Sequence, residues 1–215
     1  MSDISKKANR KKKMLIAVIV IMSLLVIASI VIIVIDYIAK NAKPYVPGAI
    51  SYNFYEADYN EDIYKDEEYL ELIEGDFVKY FDSATNRTVG IDEESAVLHG
   101  DDVVFMVDYI RSIVNGDVNK YNLMFSSEYY EKSEKKSTFT KQKLYDIQIS
   151  KYSSEEITTK DSSYTECLYV VEYKIFKNNG TFRNDIGDGF RKQYITISNK
   201  SGSFLIDLVG YIKYE

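Results

Sequence analysis

The sequence predicts an α+β domain carried behind a membrane-spanning segment, and three observations predict it. An unbroken apolar run extends from Met14 to Ile35. Apolar residues then recur at helical spacing between Asp101 and about Lys132. After Tyr145 the period becomes two, the signature of strands with one buried face. Helices gathered ahead of consecutive antiparallel strands define the α+β class.

The apolar run carries no charged residue. At about 1.5 Å rise per residue it makes a helix of roughly 33 Å, enough for a hydrocarbon core of about 30 Å. A cleaved signal would have a shorter core and a small-residue cleavage site, whereas Asp36, Tyr37, Ile38, Ala39 and Lys40 follow here. The reading is therefore a retained signal anchor, with the lipid bilayer as partner through residues 14–35. Lys6, Lys7, Arg10, Lys11, Lys12 and Lys13 precede the run, and Lys40 and Lys43 alone follow it closely. That asymmetry predicts a cytoplasmic amino terminus, residues 1–13, and a cell-membrane protein whose carboxyl-terminal domain is extracytoplasmic.

Charge narrows the function classes. The chain holds 27 Lys plus Arg and 33 Asp plus Glu; without the tail's six bases and Asp3, the rest has a net charge of about −11. Nucleic acid and anionic lipid heads are thereby disfavoured as partners of the exported part. One cysteine, Cys167, precludes an internal disulfide, so stability must come from packing. Its apolar surroundings predict a buried thiol.

Residues 36–76 read as a tether. Pro44, Pro47 and Gly48 are followed by an acidic stretch from Glu56 to Glu74 in which Lys65 is the sole base. That composition predicts a solvated spacer. The interleaved tyrosines allow a second role, a strip that docks a basic partner, with Tyr55, Tyr59, Tyr64, Glu67, Glu68 and Tyr69 as the candidate partner-binding residues.

Residues 77–215 read as the folded domain. Val103, Val107, Ile110 and Val114 mark one helix face, with Asp101 as its expected N-cap. Asn115 and Gly116 stop this helix, and Asp117 caps a second one running to about Lys132, with Tyr121, Met124, Phe125 and Tyr129 inward. A helical turn is expected near Phe139 to Leu144. Strands follow: Tyr145, Ile147 and Ile149 share one face, and Tyr169, Val171, Tyr173 and Ile175 another. Two more run over 190–198 and 203–214, the last with Phe204, Ile206, Leu208 and Ile212 inward, joined by a tight turn at Asn199 to Gly202.

The stretch Ile110-Arg-Ser-Ile-Val-Asn-Gly-Asp-Val-Asn-Lys-Tyr-Asn-Leu-Met-Phe125 resembles the helix, turn and second helix of the NTF2-like superfamily, and Gly202-Ser-Phe-Leu-Ile-Asp-Leu-Val-Gly210 is similar to its final strand. The resemblance covers about residues 101–215 and implies a helical pair packed on a curled antiparallel sheet that closes into a cone. That family contains enzymes, ligand carriers and non-catalytic assembly domains, so fold alone does not choose a function. The layout of basic tail, single helix, spacer and exported domain resembles VirB8-like subunits of conjugation and secretion machines, which are scaffolds. The expectation is a non-enzymatic protein-interaction or assembly module of the bacterial envelope, its protein partners unidentified and homo-oligomers left open. The alternative is a small-ligand-binding or catalytic cone.

No residue set carries chemistry outright. Asp146 and Glu172 lie in expected strands, but their phase puts both on the polar face. Asn184 to Gly189 lacks EF-hand spacing, since Ile186 occupies a ligand position and Ile195 stands where Glu is needed. His99 has no companion at ligand spacing. No catalytic, cofactor-binding or metal residue is assigned, and no cofactor is expected.

Overall fold

A computed structural model describes Met22 and residues 51–75, 78–160 and 162–210. The expected cytoplasmic tail 1–13, the spanning segment 14–35 apart from Met22, and the tether up to residue 50 lie outside the described residues. Among the described residues no helix is long and apolar enough to cross a membrane.

Six strands form one sheet: β1 (Val78–Asp82), β2 (Arg87–Ile91), β3 (Leu144–Thr158), β4 (Ser163–Ile175), β5 (Gln193–Ser198) and β6 (Leu205–Gly210). Their order is β2-β1-β3-β4-β5-β6. The α+β class holds, but the sheet is mixed and not wholly antiparallel. β1 runs parallel to β3, with Lys79 beside Gln148 and Asp82 beside Lys151, while every other neighbouring pair is antiparallel. A parallel pair needs a long crossover, and the chain between β2 and β3, which holds the helices, supplies it.

The helices are α1 (Glu67–Leu72), α2 (Glu93–Ala96), α3 (Asp101–Val114), α4 (Val118–Leu123) and α5 (Ser127–Tyr130). In α3 the expected face is buried, and Met106, Tyr109 and Ile113 widen it. Asp101 is the first helical residue and not the cap; the amides of Val103 and Val104 donate to the Gly100 carbonyl. At the other end Gly116 has φ +64°, and a Cβ there would lie 2.9 Å from the Lys141 amide nitrogen. Only glycine fits this left-handed stop without displacing backbone. Asp117 caps α4 as expected, its carboxylate accepting from the Lys120 amide at 2.9 Å.

The expected second helix is broken into α4 and α5. Met124 ends α4 with helical dihedrals, and Phe125 and Ser126 leave the helix to pair with β6: the Ile206 amide donates to the Met124 carbonyl at 2.8 Å and the Ser126 amide to the Ile206 carbonyl at 3.0 Å. The helical turn expected near Phe139 to Leu144 is not formed: residues 139–143 belong to no helix or strand, and the Gln142 amide donates to the Val114 carbonyl at 3.2 Å.

Two of the three register shifts among the described residues of the sheet displace the expected strand phases. Asp146 has φ +50° and sits in a bulge of β3, so Leu144, Ile147 and Ile149 point inward and Tyr145 does not. Between Thr196 and Ile197 the β5–β6 register shifts, leaving Ile206 buried and Leu208 exposed; Ile212 lies outside the described residues. The uninterrupted alternation of Tyr169, Val171, Tyr173 and Ile175 in β4 is fully buried.

Candidate interaction site

The acidic stretch does not behave as a solvated spacer from residue 51 onward. Residues from Ser51 belong to the same compact unit as the sheet, and Ile63 and Tyr69 lie within its single apolar core. Asp66 begins α1, accepting from the Tyr69 amide at 3.3 Å, and Glu67 and Glu68 occupy the first turn, where carboxylates favour the helix dipole. The Tyr69 hydroxyl donates to the Leu144 carbonyl at 3.0 Å, and burial pushes its pKa well up.

Ion pairs secure the same segment. Lys143 contacts Asp66 at 2.6 Å and also Glu61, while Lys177 bridges Asp66 at 3.3 Å and Glu68 at 2.8 Å. The Lys143 hydrogen bond, aided by the Tyr69 amide, lowers the Asp66 carboxyl to about 2. Burial alone would depress Lys143, but the two carboxylates outweigh it and raise its pKa. Further back, the Tyr55 amide donates to the Asn178 carbonyl at 3.0 Å, and the Phe54 ring rests on Gly180, where a Cβ would come within 3.0 Å. Asn178 is itself buried, its amide nitrogen donating to the carbonyls of Arg183, Ile186 and Gly187.

The six candidate residues are divided by this docking. Tyr55, Tyr59 and Tyr64 are 54%, 56% and 49% exposed. Glu67 is exposed, and Glu68 is exposed while paired to Lys177. Tyr69, at 1% exposure, is a core residue whose hydroxyl is engaged inside the domain, so its side chain does not face a partner. The docking residues Glu61, Asp66, Lys143 and Lys177 were not among the candidates. Asp66 before Glu67 and Glu68 was readable as a helix start, but its lysine partners are distant in sequence.

The inner side of the sheet is occupied by aromatic rings. Tyr121 lies 5.8 Å from Tyr109, 4.9 Å from Phe125, 5.5 Å from Phe139 and 5.6 Å from Phe182 between ring centroids. Arg183 is the buried cation of this region. Its Nε and Nη2 meet the two Asp185 oxygens, each at 3.0 Å, and its guanidinium stacks 5.5 Å from the Tyr173 ring. That pairing holds the Asp185 carboxyl below its ordinary range against the opposing effect of burial.

A second buried polar group ties α3 to the sheet. Asp102 Oδ2 accepts from Lys151 Nζ at 2.6 Å and the Tyr169 hydroxyl at 2.5 Å, with Cys167 Sγ at 3.6 Å. Burial raises the Cys167 pKa, so the thiol is held protonated. Asp146 and Glu172 lie on the outer face, as expected, beside a shallow depression of about 190 Å³ with Lys79, Gln148 and Phe190. Asp146 pairs with Lys174 at 2.7 Å and Glu172 with Lys192 at 3.4 Å. Among the described residues no group of three or more His, Cys, Asp or Glu could hold a metal.

No family model, curated protein or solved structure matches the chain.

The chemistry this arrangement offers is recognition. Phenol rings displayed beside carboxylates on a rigid support can stack on and pair with guanidinium or ammonium groups. The Asp102 and Arg183 clusters satisfy their charges internally, so removing one partner of either would leave an uncompensated buried charge.

Proposed function

We propose that the chain is a single-pass envelope protein, amino terminus inside, whose extracytoplasmic domain is an NTF2-like, non-enzymatic module of a membrane assembly. The observation that carries this reading is the aromatic filling around Tyr121: a side chain packed at 4.9 to 5.8 Å from four other rings occupies the space a ligand would need. Support for the NTF2-like assignment is the succession of a long helix, two short helices and four antiparallel strands from Asp101 to Gly210. The hairpin β1–β2 ahead of it, whose β1 runs parallel to β3, is additional to the pattern that suggested the family. The VirB8-like layout follows from the apolar segment 14–35 and its basic flank. Tyr55, Tyr59 and Tyr64 form the partner surface, and the partner contributes basic side chains.

The alternative, a ligand-binding cone, draws on the buried Arg183 and its neighbours Tyr173 and Gln193. Arg183 already holds Asp185 through two nitrogens, which favours the structural role.

The test is cross-linking in cells producing the full chain, purification through a carboxyl-terminal tag, and identification of the retained proteins. The comparison is a Tyr55→Ala, Tyr59→Ala, Tyr64→Ala variant, since these exposed residues can change without removing Ile63 or Tyr69 from the core. Stoichiometric envelope proteins lost in the variant are expected. Recovery of the chain alone, or of partners indifferent to the variant, overturns the reading.

A further inference from the structure

The two edges of the sheet are treated differently. β6 is covered where Met124 to Ser126 pairs with Ile206. β2 has no such cover: among the described residues its backbone bonds only to β1, and Arg87, Thr88, Val89 and Gly90 are all exposed. An edge strand turns alternate N–H and C=O groups outward as a template for another strand, and proteins ordinarily blunt such edges with charged side chains, Pro, bulges or a covering segment. In Arg87-Thr-Val-Gly-Ile91 the one charged residue stands at the end of the strand, there is no Pro, and the register with β1 is unbroken.

The geometry points to β2 as the contact between two copies of this chain, joined antiparallel about a two-fold axis into a continuous sheet. Charge selects the occupant. Arg87 stands at one end of the strand and the exposed Glu94 follows the other end, beside Asp92 and Glu93, which are engaged within the chain by Ser95 and Arg111. Antiparallel self-pairing sets the basic end of each copy against the acidic end of the other, whereas parallel pairing sets like against like. Val89 shares the sheet face of the buried Ile91 and Tyr80, so its exposed side chain meets the same face of the second copy near the axis. This inference needs neither the membrane anchor nor the acidic strip.

The test uses the single native cysteine to advantage, because Cys167 is buried. Full-length chains carrying Thr88→Cys, Val89→Cys or Gly90→Cys, and a control carrying Leu123→Cys on the exposed α4 surface, are treated in cells with a short, membrane-permeant bis-maleimide. A doubling of apparent mass is expected for the substitution at the axis and not for the control. Dimer formation abolished by adding Thr88→Pro to the Val89→Cys or Gly90→Cys chain, with unchanged circular dichroism, supports backbone pairing. Three uncross-linked edge variants, equal cross-linking of the control, or an adduct whose mass is not twice that of the chain each overturns the proposal. The tag pull-down above reads the acidic strip independently, so either can fail alone.

Discussion

Lys143 Nζ donates to Asp66 Oδ2 across 2.6 Å, joining residues far apart in sequence with the lysine side chain only 6% exposed. This contact, shared with Glu61, converts an acidic stretch into part of the folded domain. Lys143→Met removes the cation shared by Asp66 and Glu61 from a partly buried site and leaves Asp66 the longer Lys177 contact at 3.3 Å. The expected loss is about 2–3 kcal/mol, below the full cost of a wholly buried pair because Glu61 retains solvent. Urea titration measures the loss, and limited proteolysis should show faster cleavage between residues 51 and 66. Cleavage no faster than in the unaltered chain would count against the latch.

Acid should weaken the same contact. Asp66 titrates at about 2 when folded against an ordinary 3.8, so its stabilising effect is complete above the ordinary value and disappears as pH falls through about 2. After discounting for solvent screening, about 1 kcal/mol is at stake. Asp66→Asn should show a flatter dependence of urea midpoint on pH between about 5 and 2 than the unaltered chain. Parallel curves would remove Asp66 as the cause.

Adjacent residues in the stretch should respond oppositely. Ile63 is fully buried and Tyr64 is half exposed. Ile63→Ala is expected to cost about 2–4 kcal/mol through lost burial and the cavity left behind, and Tyr64→Ala less than about 0.5 kcal/mol. Denaturant unfolding of the two variants distinguishes a docked segment from a loose one, for which both would be silent.

The thiol of Cys167 should be unreactive in the native protein. It is 1% exposed, burial raises its pKa, and Asp102 disfavours the thiolate. Maleimide labelling followed by intact mass should give no adduct in native buffer and one adduct in denaturant. Rapid native labelling would show that the Asp102 cluster opens.

Gly116→Ala should destabilise by about 1–2 kcal/mol, since the left-handed backbone and the nearby Lys141 amide both oppose a Cβ. Asn115→Ala, one residue earlier with ordinary helical dihedrals and exposed, provides the comparison and should lie near zero. Equal losses would mean that the helix stop does not depend on glycine.

Local signals were legible where one element satisfies its own needs. The apolar stripe of α3, the Gly116 stop and the Asp117 cap are interactions within a few residues, so spacing and residue type reveal them. The alternation in β4 was equally plain because no bulge interrupts its inward residues. Phases failed at Asp146 and around Asp207, since a bulge adds one residue to one strand and leaves no compositional mark. The second helix failed for a different reason: Met124 to Ser126 has helical spacing, but its backbone satisfies Ile206 instead.

The candidate strip divides along the same line. That Tyr55, Tyr59 and Tyr64 stand among acids is a property of sequence; that Tyr69 is core while they are displayed is not. The placing of helices ahead of antiparallel strands from Asp101 to Gly210, the acidic character of residues 56–74 and the apolar run 14–35 were legible in the sequence alone, because periodicity and charge are summed over neighbours. Only tertiary structure decided the parallel β1–β3 pair, the open β2 edge and the docking of Asp66 on Lys143 and Lys177. Each joins groups remote along the chain, and such contacts form only when the packed core brings their backbones together.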